Sequence, residues 1–107
     1  VGSGAAMSVY VHKYEVLKFD LFGGTNGHFH FSCGSNRNQM PRRHPLSGAT
    51  AQEQAHVAIT KVSKELTKYL RAMRGVRFKR FHVDASALDK ALSIAHESLV
   101  QKIDRIQ

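Results

Sequence analysis

Acidic residues are scarce, cysteine is almost absent, and no stretch is long and apolar enough to suggest a membrane span. Each shortage excludes something. The single cysteine, Cys33, has no internal partner, so no disulfide framework is expected and a reducing, cytoplasmic compartment is the natural setting. No apolar run approaches the roughly 20 residues that cross a bilayer, and no secretory core follows a basic start, so an intrinsic membrane protein is not expected. Paired carboxylates are missing from every recognisable motif. The one glycine-rich turn, "GGTNG" at 23–27, lacks the lysine and following helix of a phosphate-binding loop.

What remains is a cationic chain with an ordinary core. Over 107 residues, 42% are hydrophobic and 22% charged, enough for one domain that folds without a structural metal. Val1 to Ala6, "VGSGAA", precede Met7 and read as a cloning scar, so the domain is expected over 7–107. The formal charge is +8 and the isoelectric point about 10.1. From Arg37 to His82 eleven Lys/Arg face two acids, a net of +9, which leaves −1 for the rest of the chain. The excess is thus confined to the middle segment, where it favours polyanions.

Periodicity predicts an α+β fold in the order ββαβα, with a small, mainly antiparallel sheet and two amphipathic helices packed on one face. Ser8 to Phe22, "SVYVHKYEVLKFDLF", is rich in β-branched and aromatic residues and reads as one long strand or two joined by a bend. Its change of parity suggests a bulge near Lys13 to Leu17, or burial on both faces. "GGTNG" is a turn, and "HFHFSC", 28–33, is the returning strand. Residues 34–48 carry both prolines and no periodicity, and read as a long loop.

From Ala49 to Arg74, Ala55, Ile59, Val62, Leu66, Tyr69, Leu70 and Met73 form one helical stripe, capped by Ser47 or Thr50 and closed by Gly75. "VRFKRFHV", 76–83, reads as a strand, although Phe78 and Phe81 differ in parity. Asp84 or Ser86 then caps a second helix with Leu88, Leu92, Ala95, Leu99, Ile103 and Ile106 inward. A three-stranded sheet would leave open edges, so pairing with another copy is expected through them.

Lys61, Lys64, Lys68 and Arg71 share a narrow helical sector opposite the apolar stripe, with Glu65 the only acid between Glu53 and Asp84. Arg74, Arg77, Lys79 and Arg80 follow, interleaved with Phe78 and Phe81, and Arg42 and Arg43 lie in the long loop. Cations beside rings suit phosphates and unpaired bases. A non-enzymatic nucleic-acid or polyanion-binding module is therefore the first expectation, and a small oligomeric protein docking an acidic partner is another.

The second expectation is chemical. Alternate residues of a strand share a face, so His28 and His30 suit two ligands of a divalent metal, with His12, His44 or His82 as candidate thirds. Alternation alone also accounts for them as a wet face opposite Phe29, Phe31 and Cys33. "HFH" resembles the motif of the His-hydrophobic-His (HUH) endonucleases, among them rolling-circle initiators, relaxases and some transposases. That resemblance implies a metal on His28 and His30 polarising a scissile phosphate, Tyr69 in "KELTKYLRAM" as nucleophile, and the basic segment holding the DNA strand.

Overall fold

The computed structural model describes residues 4–32 and 42–106; Cys33, Arg37 and the first part of the expected loop lie outside the described residues. Four antiparallel strands form a meander in the order β1-β2-β3-β4, followed by the helices. β1 (Ala5–Val11) and β2 (Tyr14–Leu21) are joined by a two-residue turn at His12 and Lys13, with φ 52° and 63°. Positive φ at both central residues matches the right-handed twist of the strands it joins. The segment from Ser8 is thus a hairpin. Its register slips between Val9 and Tyr10, which leaves Val16 buried and without a partner on β1, a bulge within the stretch expected. Ala5 and Ala6, set aside with the opening residues, begin β1, and Ala5 is buried against the core.

The class is α+β as the periodicity predicts, but the element order is corrected in two places. Arg43–Pro45, read as loop, is a short fourth strand, β4, on the far side of β3 (His28–Phe31). Three residues containing a proline carry no alternation to detect, and proline is tolerated because this strand is an edge. The expected strand at 76–83 is instead a helical turn, α2 (Val76–Lys79), followed by irregular chain. Gly75, at φ 107°, redirects the chain after α1 (Ala51–Ala72). Phe78 and Phe81 are three apart, the spacing of a helical turn, and both pack edge-on against His12. Their mismatched parity was a helical signal.

The helix caps follow the side-chain chemistry expected of them. Thr50 Oγ1 accepts from the Glu53 N–H at 3.1 Å, and Glu53 reaches back to the Ala49 N–H, a variant of the capping box. Asp84 Oδ1 accepts from the Ala87 N–H at 3.1 Å and caps α3 (Ala85–Ile106). The predicted apolar stripes of both long helices bury Val62, Leu66 and Leu70 of α1 and Leu92, Leu99 and Ile103 of α3. They cover one face of the sheet, against Met7, Leu17, Phe19, Leu21 and Phe29.

One polar side chain sits inside this core. Gln54 is fully buried, accepts from the Gly23 N–H at 2.8 Å, and donates to the carbonyls of Gly24 at 2.9 Å and Gly48 at 3.0 Å. It thereby ties the β2–β3 turn and the approach to α1 onto the first turn of that helix. Gly27 lies so close that a Cβ there would overlap the Gln54 amide. Replacing Gln54 by Leu strands one donor and two acceptors away from water, so equilibrium urea unfolding should show a loss of about 2–4 kcal/mol.

Candidate metal centre

The sheet has two unlike faces because cross-strand partners point the same way. Leu17, Phe19, Phe29 and Phe31 face the helices. The other parity carries Asp20 opposite His28, and Lys18 opposite His30, which in turn opposes Arg43 on β4. On this outer face His28 Nε2 lies 2.9 Å and His30 Nε2 3.7 Å from Asp20 Oδ2. One ligand atom from each of the three residues falls within 4.8 Å of the others. The side chains of Asp20, His28 and His30 are only 12%, 13% and 17% exposed, so neighbouring groups cover most of the cluster.

Hydrogen bonding selects the state of His28. Its Nδ1 lies 3.0 Å from the Asn26 carbonyl oxygen, which can only accept, so Nδ1 carries a proton. The other nitrogen then points at a carboxylate oxygen, and two lone pairs at 2.9 Å repel unless something positive lies between them. A proton on Nε2 satisfies the contact as an imidazolium–carboxylate pair. A cation bound by both atoms satisfies it equally, with the Asn26 carbonyl orienting the ring as outer partners of ligand histidines do.

Two of the three ligand separations fit that second filling. A tetrahedral ion about 2.1 Å from each donor separates its ligands by about 3.4 Å. The separations of 2.9 and 3.7 Å from Asp20 bracket this value, whereas the widest of the three reaches up to 4.8 Å, so the imidazoles must turn toward each other to share one ion. Two histidines and a carboxylate would supply three ligands to an ion, and a site with three protein ligands would keep a position for water or a substrate oxygen.

The third member of the cluster is Asp20, not one of the histidines considered for the role. His44 stacks on Phe29 at 4.9 Å on the helix-facing side, His12 packs against Phe78 and Phe81, and His82 is exposed beyond α2. Asp20 was legible only through register: a hairpin centred on Gly24 within "GGTNG" sets 20 opposite 28. Tyr69 is corrected as well. It packs edge-on against Phe31 at 4.8 Å on the helix-facing side, so the sheet separates it from His28 and His30.

The basic residues divide between two regions. Arg43 shares the outer face with His30, and Arg42 is exposed beside it. The larger group gathers at the end of α1: Arg71 Nη1 donates to the Phe81 carbonyl at 3.2 Å, and Lys79 Nζ donates to the Arg71 carbonyl at 3.1 Å. These bonds fold the 76–81 segment back onto the helix end, where cations also suit the orphan carbonyls. Arg77 lies over the Phe78 ring at 4.8 Å, while Lys64, Arg74 and Arg80 are exposed. Phe78 is buried and Phe81 half-buried, so neither ring is presented for base stacking.

Along α1, Glu65 lies between Lys61 at 3.0 Å and Lys68 at 3.5 Å. The hydrogen bond from Lys61 holds the Glu65 carboxyl below its ordinary value of 4.5, against an opposing effect of burial. For Lys61 burial alone acts downward, but Glu65 and the Tyr69 phenol outweigh it and leave the ammonium above 10.5. The depressed carboxyl contributes stability above pH 4.5 that is lost as pH falls through its lowered value, and the raised ammonium contributes below pH 10.5 what is lost at higher pH. Glu65→Gln should therefore cost about 0.3–0.5 kcal/mol at pH 7, and thermal melts of the two proteins should converge on acidification past the carboxyl's titration.

Among the described residues no helix is long and apolar enough to cross a membrane. The chain matches no family model, and no curated protein or solved structure is detectably similar to it, so its activity is read from its own side chains.

Proposed function

We propose that the protein is a metal-binding domain in which Asp20, His28 and His30 hold one divalent transition-metal ion, and that it acts on an anionic substrate at the outer face of the sheet. The convergence of both imidazole Nε2 atoms on Asp20 Oδ2 carries this reading. Two imidazoles and one carboxylate favour zinc, iron(II), manganese or cobalt over magnesium or calcium, which prefer all-oxygen sites. Such an ion acts as a Lewis acid and lowers the pKa of bound water, supplying a nucleophile near neutral pH.

The protein's own contribution is position and charge. Lys18 and Arg43 flank His30 from the two neighbouring strands, so two cations share the face onto which the ion's remaining positions open. An anionic group is drawn to that face, and the low exposure of the three side chains limits the water that competes for the ion. Tyr69 lies across the sheet from the cluster, so the attacking group in a metal-dependent hydrolysis is water.

A second reading, a polyanion-binding surface, is supported by the bonds from Arg71 and Lys79 that bring Arg74, Arg77 and Arg80 to one end of the molecule. Lys64 and Lys68 continue that surface along α1. The two readings are compatible, because an extended polyanion can occupy one region while a single anionic group engages the other.

Metal-free protein titrated with zinc in a calorimeter should bind one equivalent, and cobalt(II) should give visible bands of a low-coordinate ion. His28→Ala, His30→Ala and Asp20→Asn should each weaken binding by roughly 100-fold or more. Unchanged stoichiometric binding in the His28→Ala/His30→Ala protein would place the metal elsewhere and sink the reading. For the second surface, fluorescence anisotropy with labelled oligonucleotides should show affinity falling steeply with salt, and a loss of roughly 10-fold in Lys64→Ala/Lys68→Ala.

A further inference from the structure

The two edges of the sheet are treated differently. β4 is three residues long, carries Arg43 and ends at Pro45, features that discourage another strand from pairing with it. β1 is seven residues long, contains neither charge nor proline, and pairs on one side only. Among the described residues nothing pairs with its other side.

Beside that open edge runs an apolar groove of about 450 Å³, walled by Val9 and Val11 of β1 and by Leu88 and Leu92 of α3, with Leu66 of α1 beneath. Ala87 and Ala91 of α3 line the groove as well, and Ile94 follows them at helical spacing beyond it. Ile94 is 70% exposed, and Tyr10 on the edge strand is 61% exposed. A strand edge, a groove and a helix stripe thus form one continuous unpartnered region.

Charge identifies its occupant. In a chain of net charge +8, α3 carries three acids, Asp89, Glu97 and Asp104, balanced by Lys90, Lys102 and Arg105, and β1 carries no charged residue. The excess lies on α1, α2 and the β4 side. Two copies approaching through any of those surfaces set like charge against like charge within a Debye length, whereas approach through β1 and α3 sets neutral against neutral. Among the described residues, charge does not oppose self-association through this region.

We propose that two copies of the chain pair β1 to β1, antiparallel about a two-fold axis, joining their sheets into one of eight strands. The α3 helices, which cover the same face of each sheet, meet over the junction and bury Ile94 and the groove. This is an isologous interface, in which each half supplies the same strand edge and the same helix stripe. The two Asp20 clusters then lie on one face of a shared sheet, each on the second and third strands from the junction.

Sedimentation velocity with multi-angle light scattering, from ~1 to ~100 μM protein, tests this directly. The expected mass at the upper end is twice the 12.0 kDa of the chain. Ser8→Lys places a charge on the exposed edge where it opposes its own copy, and Ile94→Lys does the same on α3. Each should weaken the dimer by roughly 100-fold, and the double variant should be a monomer with an unchanged far-ultraviolet spectrum. A wild-type monomer throughout the range overturns the proposal and leaves the region to a different partner. A dimer indifferent to both substitutions overturns it by placing the interface elsewhere. If Ser8→Lys unfolds the chain, Ile94→Lys alone decides, since that side chain is exposed and contributes little to the core.

Discussion

The arrangement of the outer face depends on the buried amide of Gln54. An uncharged side chain whose oxygen accepts and whose nitrogen donates twice meets one backbone N–H and two backbone carbonyls, so both of its polar atoms are partnered. Those three partners belong to the turn that joins β2 to β3 and to the segment that leads into α1. Fixing them on the helix holds both strands at their connected end, where Asp20 and His28 stand opposite one another. A core residue on the helix side of the sheet therefore secures the Asp20–His28 pairing on the other side without touching it.

The sheet acts as a partition. Its helix-facing side is continuous apolar packing, including the stacked rings of Phe19 and Phe29, and is kept dry by α1 and α3. Its outer side carries titratable and cationic groups in two adjacent rows. Because alternate residues of the same strand serve opposite sides, the rigidity of the core passes to His28 and His30 through the backbone of β3 itself. That is the condition for a preorganised ligand set: side chains on a strand whose neighbours are locked by packing, and not on a loop.

Much of the fold was legible because it rests on repetition. The stripes of α1 and α3, the glycine turn, and the caps at Thr50 and Asp84 all follow from local spacing and side-chain chemistry. The misread elements were those whose signal is brief or ambiguous. Phe78 and Phe81 suited either a distorted strand or one helical turn, and the positive φ of Gly75 favoured the turn. β4 is too short to show alternation. The candidate cluster was half legible: His28 and His30 stand out by their spacing, whereas Asp20 required the register of two strands. Gln54 reads as a surface residue by type, yet it falls with Ala51, Ala55 and Ala58 on the buried side of α1, and helical phase alone would have placed it inside.

The contact between Gly27 and Gln54 has a consequence for how the sequence can change. Any side chain at 27 would occupy the space the amide fills, and any shorter side chain at 54 would leave the turn's backbone groups without partners. Neither position tolerates substitution while the other keeps its present residue, so the route to an altered pair passes through a destabilised intermediate. In descendants of this chain the two residues should persist together or be replaced together, an inherited pairing of a strand's first approach with a helix's first turn.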